Sequence, residues 1–214
     1  MAPTLYVLKT CPAVRAVLVT IAAIEVEIDI ILVEKNYLYT EEFLKLNPQH
    51  TVPVLIDEDI IICDSHVIMT YLVQKYANND LMYPNNLKKR ILIDQRLYYD
   101  ASVMFPIIQK VFKGLVSKEF KEIPSELKND AVEVYNILEM YLSKSEWLVG
   151  NHVTVADISC CMTIKSLNIL IPYDPKNHAK LALWLDKLNA ISYFSVDKPY
   201  FEAYIERLKV ISSS

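Results

Sequence analysis

Glycine is scarce in this sequence, with Gly114 and Gly150 the only two in 214 residues. Phosphate-binding loops need several closely spaced glycines, so nucleotide binding through such a loop is excluded. The four cysteines lack the spacing of a disulfide framework or a zinc site. A net charge of −4 and a pI of about 5.6 argue against nucleic acid or an anionic membrane as a partner, because both favour a basic surface.

Hydrophobic runs long enough to span a bilayer are also missing. The segment 13–33 comes closest, but four charged residues interrupt it, namely Arg15, Glu25, Glu27 and Asp29. The N-terminus leads directly into a strand-like segment without the basic and apolar regions of a secretory signal. We therefore expect a cytoplasmic protein without a membrane partner, and the 53% hydrophobic content is sufficient for a proper core.

Two short motifs carry the most information. Segment 47–55 reads Asn-Pro-Gln-His-Thr-Val-Pro-Val-Leu, and segment 64–69 reads Asp-Ser-His-Val-Ile-Met. Proline fixes its own backbone and donates no hydrogen bond, so Pro53 suits the entry to a strand. Asp64 and Ser65, just before an apolar stretch, indicate a helix N-terminus. A strand of this kind followed by such a helix can hold an extended peptide by its backbone and its carboxylate.

The first third of the chain shows the patterns of both strands and helices. The predicted strands are Thr4–Leu8, Glu27–Val33, Val52–Ile56 and Ile60–Cys63. The predicted helices begin at Pro12, Thr40 and Ser65, and the last of them ends at Tyr76. In the second strand, Ile28, Ile30 and Leu32 are expected to share one face. The resulting order, βαβ-α-ββα, is that of a thioredoxin-like α/β domain.

A polar, turn-rich segment then predicts a linker at 78–88, between a first domain at 1–77 and a second at 89–214. Beyond it the strand patterns fade and helical spacing dominates, which predicts an all-helical domain. The predicted helices are Leu87–Val116, Ser125–Lys144, Thr154–Leu170, Ala179–Ala190 and Pro199–Val210.

One helix start in this second half is specified by its own sequence. Thr154 can cap the helix, and Asp157, three residues later, can reach back to the threonine N–H. This capping box is predicted to stabilise the start of the helix and to have no role in catalysis.

Together these features resemble the cytosolic glutathione transferases, most of all the insect delta and epsilon classes. The resemblance covers nearly the whole chain and also rests on shorter matches at Leu5 and Tyr6, Pro12, 15–17, 81–84 and 97–105. It implies a thioredoxin-like glutathione-binding domain followed by an all-helical domain. It also implies a homodimeric enzyme that conjugates its co-substrate, reduced glutathione, to small hydrophobic electrophiles, as in detoxification. No metal is implied.

The resemblance places the catalytic position at Cys11. Delta and epsilon members carry a serine there, in a pattern near Ser-Pro-Pro-x-Arg, whereas segment 11–15 reads Cys-Pro-Ala-Val-Arg. A thiol is a weaker hydrogen-bond donor than a hydroxyl. A helix N-terminus can also lower the pKa of a thiol, which would suit Cys11 to a mixed disulfide with glutathione. Conjugation, disulfide exchange and an inert apolar role all stay open at this position.

The glutathione-binding residues implied by the resemblance fall in the two motifs. They are His50, Val52, Pro53, Asp64, Ser65 and His66. Val52–Pro53 matches a cis-proline step whose backbone pairs with the cysteinyl part of glutathione. Ser65 matches the residue at the γ-glutamyl carboxylate, Asp64 that at the γ-glutamyl ammonium, and His50 that at the glycyl carboxylate.

One position departs from the family pattern in a way that affects binding. A second family histidine falls on Leu38, which cannot bind a carboxylate. Either Lys35 or Tyr37 compensates, or glutathione binds more weakly.

The resemblance also implies an electrophile site between the two domains, on the first long helix and the C-terminal segment. Its predicted residues are Phe105, Ile108, Gln109, Phe112, Val116, Phe201 and Tyr204, with Tyr200 beside them. Apolar residues at helical spacing also suit a core. We expect Cys160 and Cys161 to be buried and inert, and Cys63 to be structural.

Two alternative functions stay open beside conjugation. One is a glutathione-dependent thiol transferase that uses Cys11 through a mixed disulfide. The other is a non-catalytic protein that binds apolar ligands, an interpretation motivated by Cys11 and Leu38 together.

Overall fold

The computed structural model describes residues 2–213, and their N-terminal part is built on a four-stranded sheet in the order β2-β1-β3-β4. The strands are β1 Thr4–Val7, β2 Asp29–Leu32, β3 Val54–Asp57 and β4 Ile60–Cys63. Strand β1 pairs parallel with β2 and antiparallel with β3. The helices of this part are α1 Pro12–Ile24, α2 Glu41–Leu46 and α3 Ser65–Tyr76, with a 3₁₀ turn at Lys35–Tyr39. The predicted βαβ-α-ββα order is confirmed.

Three of the four predicted strands differ from the structure by one or two residues at their ends. Strand β3 begins at Val54, since Pro53 has no N–H with which to enter the ladder. Strand β2 was predicted over Glu27–Val33 with Ile28, Ile30 and Leu32 on one face, but it spans only Asp29–Leu32 and all four of its residues are exposed, with Leu32 58% accessible. The reason is its place at the edge of the sheet, where only β1 pairs with it.

The second part of the chain is all-helical, as predicted. Its helices are α4 Leu87–Tyr99, α5 Phe105–Val116, α6 Ser125–Leu142, α7 Val155–Leu170, α8 Ala179–Asn189 and α9 Lys198–Ser213. A 3₁₀ turn at Ser192–Asp197 precedes α9. The single long helix predicted over Leu87–Val116 is wrong, because a π-helical turn at Asp100–Met104 separates α4 from α5. Pro106 lacks the N–H that would continue the ladder there.

Helix α7 is the central helix of this part, and its first turn is held by the predicted capping box. The buried Asp157 carboxylate accepts from the Thr154 N–H at 2.9 Å, the Leu148 N–H at 2.8 Å and the Trp184 indole N–H at 3.0 Å. The prediction is confirmed, and the aspartate additionally ties α7 to α8.

A buried ion pair joins α1 to the helical part. The fully buried Arg15 guanidinium donates to both carboxylate oxygens of Asp197 and, at 2.8 Å, to the Ser166 hydroxyl. Because Arg15 lies one turn after the start of α1, this contact fixes where that start faces.

Across residues 2–213, no helix combines the length and the hydropathy needed to cross a membrane. The predicted domain boundaries, 1–77 and 89–214 with a linker at 78–88, stay predictions.

Candidate active site

Two adjoining cavities lie between the sheet-containing part and the helical part. The first, of about 430 Å³, is lined by both sequence motifs and by Cys11. The second, of about 580 Å³, shares Cys11 and His50 with the first and extends along α5 and α9. The predicted site residues therefore converge on the start of α1, where the two cavities meet.

Cys11 caps the N-terminus of α1 and is partly buried. Its thiol lies 3.8 Å from the Val52 carbonyl oxygen, to which it can donate. Burial raises the pKa of the Cys11 thiol, against the opposing effect of the Val14 and Ala13 N–H groups and the Arg15 charge. The thiol is therefore protonated at neutral pH, and the expected lowering by the helix N-terminus does not prevail.

The strand entry opposite Cys11 has the predicted backbone. The Val52–Pro53 peptide bond is cis, which confirms that prediction. His50, two residues earlier, has a φ of +46° and lines both cavities. Its ring stacks on Tyr39 with 4.8 Å between centroids.

The second motif forms the start of α3. Asp64 is the N-cap, and its Oδ1 accepts from the His66 and Val67 N–H groups. Asp64, Ser65 and His66 all line the first cavity, and Ser65 is buried. The backbone N–H groups at this helix start favour an anion in the cavity.

The His66 ring bridges two carboxylates. One ring nitrogen lies 3.1 Å from Asp64 Oδ1 and the other 3.1 Å from Asp100 Oδ2. Burial alone would lower the pKa of His66, but the hydrogen bonds to Asp100 and Asp64 outweigh it and raise the pKa to about 9. The imidazole is therefore positively charged at neutral pH.

Asp100 is a site residue that the sequence analysis missed. It is buried in the π-helical turn, accepts from Ser159 as well as from His66, and lines the first cavity. Within residues 2–213 its Oδ1 has no hydrogen-bond partner. The position of the π turn depends on Pro106, which was the one available signal in the sequence.

Leu38, the position that departs from the family pattern, points its side chain into the protein. Leu38 is buried and lines both cavities, while Lys35 lines the second cavity. The Tyr37 ring packs edge-to-face on the Phe43 ring with 5.7 Å between centroids, so the Tyr37 side chain is part of the core packing.

Five of the seven residues predicted for the electrophile site line the second cavity. They are Phe105, Ile108, Gln109, Phe112 and Tyr204. Val116 and Phe201 are not among the lining residues, so their assignment is not supported. Val116 is 41% exposed at the end of α5. The Phe201 ring lies 4.5 Å from the Arg15 guanidinium, so it packs on the buried Arg15–Asp197 pair. Tyr200 packs against the core.

Comparison with known proteins agrees with this geometry. Residues 5–80 match the model of the glutathione S-transferase N-terminal domain, and residues 102–191 match that of the C-terminal domain. Glutathione S-transferase 1 of Manduca sexta is 37% identical over 91% of each chain. The chain belongs to the glutathione S-transferase family.

Solved structures of other family members match the fold closely. An epsilon-class glutathione S-transferase from the housefly Musca domestica is 33% identical, with a TM-score of 0.94 over 98% of each chain. A glutathione transferase homologue from Drosophila mojavensis, with bound glutathione, is 35% identical, with a TM-score of 0.94 over 98% of this chain and 97% of the other. As a glutathione S-transferase, the chain is an enzyme with glutathione as its co-substrate.

The remaining cysteines of this glutathione S-transferase lie outside both cavities. Cys160 and Cys161 are fully buried in α7, as expected, and burial raises the pKa of the Cys161 thiol to about 12. Cys63 is partly buried at the end of β4. In the part of the chain that the structure describes, no group of three or more His, Cys, Asp or Glu side chains is arranged to hold a metal ion.

Proposed function

We propose that this glutathione S-transferase binds reduced glutathione in the first cavity and conjugates it to small apolar electrophiles held in the second, as a detoxification enzyme. The observation that carries the proposal is the meeting of three features around Cys11. They are the start of α1, the cis Val52–Pro53 step and the start of α3 at Ser65. The second cavity adjoins them at Cys11, where the thiolate must attack.

The first cavity offers a group for each part of glutathione. The Val52 backbone pairs with the cysteinyl part, and Ser65 with the N–H groups of α3 holds the γ-glutamyl carboxylate. Among the described residues, Asp64 Oδ2 accepts no hydrogen bond, so it is available to the γ-glutamyl ammonium. His50 is assigned to the glycyl carboxylate, and Lys35, which lines the second cavity with it, is assigned to replace the histidine missing at Leu38.

We assign Cys11 the role of a neutral hydrogen-bond donor to the glutathione thiolate. Its raised pKa keeps the S–H group intact at neutral pH, so the two sulfurs do not repel each other. A free thiol ionises near pH 8.5, so any donor that stabilises the glutathione thiolate increases the reactive fraction at neutral pH. Because S–H is a weak donor, this stabilisation is smaller than a serine hydroxyl would provide.

The same pKa argues against disulfide exchange as the main activity, because exchange requires a thiolate at Cys11. Incubation with oxidised glutathione followed by intact-mass measurement tests this point. We expect little mixed disulfide, and stoichiometric glutathionylation at Cys11 would support the thiol transferase instead. The non-catalytic alternative would require that no standard electrophile is conjugated above the background rate.

The decisive experiment compares initial rates of conjugation to 1-chloro-2,4-dinitrobenzene in the native protein, Cys11→Ser and Cys11→Ala. Serine should raise kcat/KM by about tenfold, since a neutral donor of ordinary strength adds about 1.4 kcal/mol. Alanine should lower it, and Cys63→Ser serves as the matched cysteine control outside the cavities. Equal activity of all four proteins would show that another group, Tyr6 or a backbone N–H, stabilises the thiolate.

We also propose that the enzyme is a cytoplasmic homodimer that associates through α4. Leu87, Ile91 and Tyr98 share one face of α4 and are 73%, 60% and 74% exposed. Contiguous exposed apolar residues on one face favour an interface with another chain. Sedimentation analysis should give a dimer for the native protein and a monomer for Ile91→Glu. Lys88→Glu, an exposed change on the same helix, should stay dimeric.

A further inference from the structure

The rim of the second cavity carries an excess of positive charge. Lys9 follows β1, Lys35 begins the 3₁₀ turn, and Arg207 lies on α9, and all three are exposed lining residues. Glu34 is the one acidic lining residue. Within residues 2–213, none of the three cations forms an ion pair or a side-chain hydrogen bond.

The first cavity differs, because the charged imidazole of His66 that lines it lies between its two carboxylates. Its acidic lining residues are Asp64 and Asp100, and neither a lysine nor an arginine lines it. The chain as a whole has a net charge of −4, so three unpaired cations around one cavity run against the overall charge. A cavity rimmed by one sign of charge raises the local concentration of ligands of the other sign.

The interior of the second cavity is apolar below this rim. Phe105, Ile108 and Phe112 form its α5 wall, and Tyr204 closes it from α9. The Tyr204 side chain is 2% exposed, and its hydroxyl has no partner among the described residues. Because that hydroxyl oxygen is itself buried, it offers no accessible polar group to an occupant of the cavity.

We propose that the second cavity selects electrophiles that combine an apolar body with a carboxylate. The body packs on Phe105, Ile108 and Phe112, and the carboxylate lies at the rim beside Lys9 and Arg207. This inference rests on the proposed conjugation of glutathione and names the substrate class of the same site. Lys35, the third cation, is shared with the glycyl end of glutathione and is therefore left out of the test.

The expected size of the effect follows from the exposure of the cations. Exposed ion pairs contribute up to about fivefold to an equilibrium constant, and salt screens them. Removing Arg207 alone should therefore change carboxylate selectivity by about threefold. Removing Lys9 as well should bring the change to about tenfold.

The test uses 4-chloro-3,5-dinitrobenzoate and its methyl ester, with kcat/KM for each divided by its uncatalysed rate constant with glutathione. The ratio of carboxylate to ester should fall about threefold in Arg207→Gln and about tenfold in the Lys9→Gln, Arg207→Gln double variant. Lys198→Gln removes the same charge from an exposed position at the start of the same helix and should keep the native ratio. In 0.5 M NaCl the ratios of all four proteins should converge.

Other outcomes overturn the inference while leaving the proposed function intact. One is an unchanged ratio in Arg207→Gln, and another is an equal loss of activity towards both substrates. A third is a raised KM for glutathione at an unchanged ratio, which would assign Arg207 to glutathione. If the native protein conjugates neither substrate, the proposed function fails. Calorimetry without glutathione then measures how tightly the same variants bind the carboxylate and the ester. The ratio of these two affinities decides the inference in the same way.

Discussion

Two ion clusters join the sheet-containing part of the molecule to the helical part, and they respond to pH in opposite directions. The Arg15 cluster consists of Arg15 on α1, Lys165 on α7 and Asp197 before α9. The His66 cluster consists of His66 with Asp64 and Asp100, and it lines the first cavity. Both clusters connect the two parts of the chain, but the group that titrates is a carboxylate in the first cluster and an imidazole in the second.

In the Arg15 cluster the titrating group is the carboxylate. Burial would raise the pKa of Asp197, but Arg15 and Lys165 outweigh it and hold the pKa below its usual value. Its stabilisation is thus present above the ordinary aspartate pKa of about 3.9 and is lost as the pH falls. Acid weakens this cluster.

In the His66 cluster the titrating group is the cation. With the pKa raised to about 9, its stabilisation is fully present below the ordinary histidine pKa of about 6.5 and is lost as the pH rises through about 9. Base weakens this cluster. The comparison shows that the permanent cation holds α1 in place, while the titratable one lies where the co-substrate is proposed to bind.

The largest effect should come from removing the permanent cation. Arg15→Met leaves Asp197 buried with Lys165 as its remaining cation, and breaking a buried pair from one side costs about 3–5 kcal/mol. Urea unfolding at pH 7 and fixed protein concentration measures this loss. Arg207→Met, at an exposed arginine, should stay within about 0.5 kcal/mol of the native protein.

A double variant separates the lost attraction from the stranded charge. Arg15→Met combined with Asp197→Leu should recover part of the stability, because apolar groups can replace a buried pair. If the double variant is no more stable than Arg15→Met, the unpaired carboxylate is not the source of the loss, and the importance given to this cluster is wrong.

The course of the backbone was largely predictable from local patterns. The βαβ-α-ββα order of elements along the chain, the start of α3 and the capping box at Thr154 follow from short-range signals, and the structure has each of them. The helix over Leu87–Val116 was wrong as a single element, since apolar spacing continues across the π turn and only Pro106 marks the interruption. The open faces of β2 depend on its edge position, which no local pattern records.

The site was less predictable, because its ion clusters are long-range. Arg15 and Asp197 are separated by 182 residues, and His66 and Asp100 by 34. Phe201 was assigned to the electrophile site as part of the C-terminal segment, but its ring packs on Arg15. The cations Lys9 and Arg207 carry no motif, and only the fold brings them to one cavity.

The second prediction concerns the base-sensitive cluster. The difference between a pKa of about 9 and the ordinary 6.5 corresponds to about 3 kcal/mol, so His66 should contribute a loss of about that amount to native stability between pH 7 and pH 10. His66→Gln should be less stable at pH 7 and should lose less stability than the native protein over this range, its remaining loss coming from buried thiols such as Cys161, whose pKa burial raises to about 12. Urea midpoints at half-unit intervals measure both slopes.

His152→Gln is the matched control, since His152 is an exposed histidine outside the cluster. It should keep the native slope above pH 7. A native protein that loses no more stability than His66→Gln up to pH 10 would contradict the assignment of a charged imidazole between Asp64 and Asp100.

The smallest effect should come from Lys165, the second cation of the Arg15 cluster. Lys165→Met should cost about 1 kcal/mol, because Asp197 keeps two hydrogen bonds from Arg15. Losing this cation also weakens the depression of the Asp197 pKa, so acid unfolding should begin at a higher pH than in the native protein. Lys187→Met, which breaks an exposed pair with Glu146, should leave the acid midpoint in place. A loss as large as that of Arg15→Met would mean that Lys165 and Arg15 act as one unit and that the cluster has no single dominant cation.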